Sequence, residues 1–240
     1  MALRIFDTDP EAKPTRKANA APERPDIAFS FRTGMQVGRK PVSLAKWRVV
    51  TGDPVVAESI GELLGGQPEE YDPTKKEHLH VLTDASSVEI VVDGSSAIED
   101  KLILWGRTGP LHECDGEFFL SPVEDKGKPC GCPPLLADRK ELARSGRGPS
   151  PSINIRFRLA GPGYELGVGR LIVTAWTFIE TLHEVKEALD QVDGEALCRL
   201  EIEHVKYTKK DGTKVEYRKP VVTVLGSYND AIADDPVYDA

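Results

Sequence analysis

The 240-residue chain predicts an α+β fold: mainly antiparallel sheet, several short helices and one zinc-stapled lobe. Three observations predict it. Runs such as Ile153, Ile155, Phe157 and Leu159, alternating with polar residues, have the period of half-buried strands. Between such runs lie short segments with apolar spacings of three and four, opened by capping residues and closed by glycine, as helices are. Three of the four cysteines fall with one of the five histidines between His112 and Pro134. Hydrophobic residues make up 40% of the chain, enough for a real core, yet no apolar run approaches the roughly 20 residues of a membrane span. The net charge of −8 argues against tight unaided binding to duplex DNA and favours a basic protein partner.

Taken in order, residues 1–26 read as a flexible arm, rich in Pro, Ala and charge after the apolar Leu3 to Phe6. Residues 27–150 form an α+β part. Ala28 to Val37 and Trp47 to Thr51 are strands. Asp53-Pro54 opens a helix, with Asp as N-cap and Pro at the first helical position; Val56, Ile60, Leu63 and Leu64 give its apolar stripe and Gly65-Gly66 ends it. His78 to Leu82 and Val88 to Val92 read as a strand pair, with His78 and His80 on one polar face rather than as a metal pair. Ser96 to Glu99 has the capping-box pattern and predicts a short helix carrying Ile98, Leu102 and Trp105. Leu135 to Arg144 is a further helix, broken at Ser145 to Pro149; Arg139, Lys140, Arg144 and Arg147 are the densest basic cluster, read as a solvated face.

Residues 151–228 read as a sheet, a helix and a hairpin. A second strand, Leu171 to Phe178, follows a glycine-rich turn at Gly161 to Gly169 that lacks the dinucleotide fingerprint. Thr181 to Glu184 is another capping box, and Leu182, Val185, Leu189 and Val192 form the stripe of its helix. The final hairpin turns at Lys210-Asp211-Gly212, and a bulge near Glu203-His204 is expected because Val205 and Tyr207 switch parity from Cys198, Leu200 and Ile202. Cys198 reads as core, and residues 229–240 as a loose acidic tail. The seam between one domain and two, if there is one, is expected near Ser145 to Ser152.

The chemistry-bearing stretch is segment 112–132. His112 and Cys114 lie two apart, as do Cys130 and Cys132. In extended chain such pairs share a face, and Asp115-Gly116 with Gly127 allow the segment to fold back so that the pairs meet. Three thiolates and one imidazole suit a structural zinc ion with closed tetrahedral coordination. Free thiols and a disulfide are the other readings. A zinc deaminase needs His-x-Glu followed by Pro-Cys-x-x-Cys and an open metal position. Here Glu113 is adjacent to His112, the cysteine pair is one residue short, and four protein donors leave no place for water.

RIFDTDPEAKPTRKA, PVSLAKWRVVTGDP, HLHVLTD, VEIVVDGSSAIEDKL, GPLHECDG, GKPCGCP, WTFIETLHEVKEALDQVDGEALC and GSYNDAIAD occur in this order along most of the chain. Together they resemble the recombination directionality factors of actinobacteriophage large serine integrases. The resemblance implies a non-enzymatic protein in the cytoplasm of the bacterial host. It implies a partner, the phage serine integrase bound to attachment-site DNA, activation of excision and inhibition of integration. It also implies no strong sequence-specific DNA binding by the factor alone and no membrane. The alternative from another class is a single-stranded-DNA-binding or annealing protein of phage replication, with Arg156, Phe157, Arg158, Tyr207 and Tyr217 as stacking and phosphate candidates.

Overall fold

Alternating apolar side chains along most of the strands are turned to one side, and the computed structural model closes them over a common core. It describes residues 26–38 and 40–233, so nearly all of the expected arm and the end of the acidic tail lie outside the described residues. The strands are β1 (Ile27–Val37), β2 (Lys40–Thr51), β3 (Pro68–Glu70), β4 (Leu79–Leu82), β5 (Ser87–Asp93), β6 (Ile98–Trp105), β7 (Pro110–Cys114), β8 (Phe119–Ser121), β9 (Ser150–Leu159), β10 (Val168–Val173), β11 (Glu195–Thr208) and β12 (Lys214–Ser227). The helices are α1 (Pro54–Leu64), α2 (Leu136–Arg144), α3 (Trp176–Asp190) and α4 (Tyr228–Ala233), with 3-10 turns at Ser95–Ala97 and Gly161–Leu166.

One twelve-stranded sheet runs β12-β11-β5-β9-β10-β1-β2-β4-β3, and β6, β7 and β8 branch from β9. Among the described residues only β1 with β10 is parallel; the other pairings are antiparallel. The fold is therefore α+β and mainly antiparallel, as expected. β9 pairs with β5, β6 and β10, so strands from either side of residue 150 share the sheet.

The sheet curls until β11 and β12 approach β2, and the ring of main chain is continued by amides of Trp47 and Ile202 donating to the carbonyls of Ala85 and Ser86. The inner face holds Phe29, Phe31, Trp47, Ile90, Ile155, Phe157, Leu171 and Leu200, all essentially inaccessible. Phe31 packs against Trp47 and Phe157 with ring centroids 5.4 Å away in each case. α3 covers one opening with Phe178, Leu182 and Leu189. α1 buries Val56, Ala57 and Ile60, and its Asp53 side chain caps the amide of Val55 at 2.9 Å.

Several sequence expectations are corrected here. The capping-box residues Ser96 to Glu99 open no helix: Ser95–Ala97 is a single 3-10 turn leading into β6, and Ile98 and Leu102 are buried strand residues. The β-branched and apolar run Ile98-Glu-Asp-Lys-Leu-Ile-Leu-Trp finds a ladder partner in β9, which overrides the local signal. Likewise Thr181 caps nothing. β10 ends at Val173, α3 begins at Trp176, and Thr181 donates to the Phe178 carbonyl inside it. β4 and β5 are not partners; β4 lies between β2 and β3, and β5 between β11 and β9. The β11–β12 ladder has its irregularity at Leu197/Cys198 rather than at Glu203-His204. No repair is needed there because the ribbon has left the core: residues from Glu203 to Thr208 are all at least partly exposed. Residues 229–233 of the supposed tail form α4 together with Tyr228, which is buried and whose hydroxyl accepts from the Gly161 amide.

Candidate metal centre

β7 is short and extended, so His112 and Cys114 project to the same side, while Glu113 takes the other face and pairs with Lys101 Nζ at 2.6 Å. Beyond Cys114 the chain reverses tightly. Asp115 Oδ1 accepts from the amides of Glu117 and Phe118, both at 2.8 Å, and Gly116 takes φ +109°, a value that side chains disfavour. β8 then returns beside β7, and a second reversal at Gly127 (φ +83°) brings up Cys130, whose amide donates to the Glu117 carbonyl. Gly131 sits at φ +72° between the last two cysteines and lets the Cys-Gly-Cys pair bend inward.

The four expected donors meet. One ligand atom from each of His112, Cys114, Cys130 and Cys132 lies within 4.8 Å of all the others. Cys114 Sγ is 3.7 Å from Cys132 Sγ, and Cys132 Sγ is 3.5 Å from His112 Nε2. A tetrahedral ion with metal–sulfur bonds near 2.3 Å and a metal–nitrogen bond near 2.0 Å has edges of about 3.8 and about 3.5 Å. A disulfide needs sulfurs about 2.05 Å apart, and all four cysteines are free. The set therefore fits a metal ion held by four protein donors. Cys114 and Cys130 are buried; His112 and Cys132 are half-buried.

Burial lowers the His112 pKa and favours the neutral imidazole that a metal requires. Burial pushes the thiols of Cys114 and Cys132 upward, so without a cation they hold their protons. The Gly116 amide opposes this at Cys114 by hydrogen bonding to the sulfur.

The surrounding shell orients the donors. The ring of Phe119 packs on His112 at 4.6 Å. Leu102 joins Cys114 and Cys130 in a small apolar cluster backed by Trp176 and Ile179 of α3. Arg139 of α2 reaches across: its Nε donates to the Pro133 carbonyl and its Nη2 to the Gly116 carbonyl at 2.9 Å, tying together the two loops that carry the cysteines. A Cβ at Gly116 would lie 2.5 Å from Arg139 Nη1. This clamp was not legible in the sequence, where Arg139 is one cation of a helix; only the fold brings it to Pro133 and Gly116. Lys140 pairs with Glu180 of α3, and Arg147 with Ser145, so the basic cluster is dispersed.

The other candidates do not converge. His80 is buried, its Nδ1 accepts from Arg48 Nε at 2.9 Å, and its ring stacks on Tyr71. His78 lies before β4 with its Nδ1 near the Lys76 carbonyl. Phe157 is core, and Tyr207 and Tyr217 stand on the distant β11–β12 ribbon, on its face with Val205 and Val215. Cys198 is fully buried, with its thiol pushed up to about 12 by burial. No helix is long and apolar enough to cross a membrane among the described residues. No family model matches the chain, and no solved structure matches it at a significant level.

Proposed function

We propose that this chain is a recombination directionality factor: it binds a phage large serine integrase on attachment-site DNA, activates excision between the product sites and inhibits integration. The observation that carries the reading is the ordered series of sequence stretches running from RIFDTDPEAKPTRKA to GSYNDAIAD. The donor set supports the non-enzymatic side of it. Three cysteines and one histidine offer four protein donors within 4.8 Å of one another, enough to fill a tetrahedral site, and Glu113, the carboxylate beside His112, is turned to Lys101. The ion is zinc in this reading, because thiolate-rich tetrahedral sites select it, and its role is structural. It supplies folding energy to a lobe whose own buried apolar cluster is small.

A directionality factor acts by differential affinity: it must bind integrase–DNA assemblies at product sites better than those at substrate sites. The direct test is binding. Purified chain and the integrase of the same genome should co-elute from a sizing column, and the chain should slow integration in a dose-dependent way. Separate elution with integration unaffected would refute the proposal.

A further inference from the structure

We infer that the outer face of the curled sheet, across β9, β10, β1 and β2, is a binding surface for the phosphodiester backbone of nucleic acid. The alternation that turns Phe157, Leu171 and Phe31 inward turns Arg156, Arg158, Arg170, Arg32 and Arg48 outward. In the register of the sheet Arg170 lies directly opposite Arg156, and Arg32 directly opposite Arg48. Like charges in directly opposed positions are destabilising. Two such pairs are a local cost, offset only in part by the bonds the arginines make within the fold, such as Arg156 Nη2 to the Ser96 carbonyl and Arg170 Nε to Ser30 Oγ. They make sense if an anion lies over them.

Compensation within the face is incomplete. Arg170 and Arg32 share one carboxylate, Glu77, at 3.2 and 3.6 Å, and Arg156 stands 3.9 Å from Glu99. Arg158 donates to the Tyr164 carbonyl and Arg48 to His80; neither has a carboxylate in salt-bridge range among the described residues. Burial, with Arg32 adding to it, pushes the Arg48 guanidinium down from its ordinary value. Lys75, paired with Asp72 at 3.0 Å, and Lys76 stand beside Arg170 along an open cleft of about 580 Å³ that Asp26 and Glu77 also line, and a second cleft of about 430 Å³ places Asp93 and Glu195 beside Arg156 and Arg158. The guanidiniums are held in place by these partners and by the rings of Tyr71 and Tyr164, 4.4 and 4.9 Å from Arg48 and Arg158.

Those rings are already covered, Tyr71 by Arg48 and His80 and Tyr164 by Arg158 and Tyr228. The face therefore reads phosphates and not bases, and binding is independent of sequence. On a chain of net charge −8 it is weak, in the range of about 10⁻⁴ to 10⁻⁶ M usual for such contacts. The inference does not rest on the integrase reading. Under that reading the phosphates are those of the attachment-site DNA.

The test is fluorescence anisotropy of the metal-loaded full chain with labelled oligonucleotides of about 16 nucleotides, single-stranded and duplex, between about 50 and about 200 mM salt. Salt-sensitive binding is expected. Arg156→Gln with Arg170→Gln should weaken it about tenfold and flatten the log–log salt dependence by roughly 1.4 for the single strand. Arg156→Lys with Arg170→Lys should keep the slope, since the charge stays. Lys209→Gln with Lys210→Gln, at the tip of the β11–β12 ribbon, should bind as the wild type does. Arg156→Gln alone serves if the double variant melts early. Comparison of the two oligonucleotides tells which form of nucleic acid the face takes. Absence of binding at low salt, or equal loss in the ribbon-tip variant, would overturn the inference.

Discussion

Cys130 and Cys132 differ from Cys198 by their neighbours, and that difference decides their chemistry. Cys198 has burial and a backbone carbonyl around it, and it is filler. Cys130 and Cys132 face Cys114 and His112 at metal-ligand spacing, so Cys130→Ser and Cys132→Ser should each lose bound metal and lower the unfolding midpoint, read by metal analysis and thermal denaturation. Unchanged metal content would exclude them as ligands. Arg139 is the residue behind them. Arg139→Gln removes charged hydrogen bonds to Pro133 and Gly116 and should cost about 2 kcal/mol, with faster loss of metal to a chelator. His80 predicts a pH effect. Burial, more than the opposing pull of Glu69, lowers its pKa, and Arg48 already donates to Nδ1. The unfolded histidine thus takes a proton near pH 6.5 while the folded one refuses it, so stability is full above about pH 6.5 and declines as pH falls below it. His80→Gln should flatten the slope of the melting midpoint between about pH 7 and about pH 5.5; an unaltered slope would remove His80 from the account.

Elements were legible where local chemistry and tertiary partners agree. Asp53-Pro54 opens α1 and Gly65, at φ +77°, closes it; Asp53→Ala should cost about 1 kcal/mol in a denaturant titration. The Ile153 to Leu159 alternation is β9, buried at every second residue. The convergence of His112, Cys114, Cys130 and Cys132 was legible for the same reason: two i, i+2 pairs and two glycine reversals leave few ways to arrange the four side chains. Legibility failed where a capping pattern competed with a strand partner outside the local window. Ser96 to Glu99 and Thr181 to Glu184 both carry the box, and neither starts a helix, because β9 claims Ile98 to Ile103 and the apolar face of α3 extends back to Phe178. Gly116 illustrates the opposite case, a turn residue whose second role needs the fold. Gly116→Ala combines a positive φ with a clash at Arg139 and should destabilise by about 1–3 kcal/mol, measured by thermal melting.

At the scale of the whole molecule, one curled sheet gathers strands from both ends of the described chain around a single large apolar cluster, while the metal-ligand lobe hangs from β6 and leans on α3 through Leu102, Trp176 and Ile179. The sheet order was not legible, since the parallel β1–β10 pair joins residues about 140 positions apart, and such contacts leave no local trace. Arg156 and Arg158 were candidates from the sequence, but Arg170, Arg32 and Arg48 joined them only once that order set Arg170 against Arg156 and Arg32 against Arg48. One sheet forms the body, and His112, Cys114, Cys130 and Cys132 stand together in the lobe at metal-ligand spacing. Excision measured with purified components tests this reading most directly: the integrase of the same genome, its two product sites on one DNA, and this chain added or omitted. The account predicts excision only when the chain is present, with integration between the substrate sites suppressed. Product sites left intact, with integration proceeding at its usual rate, would contradict it.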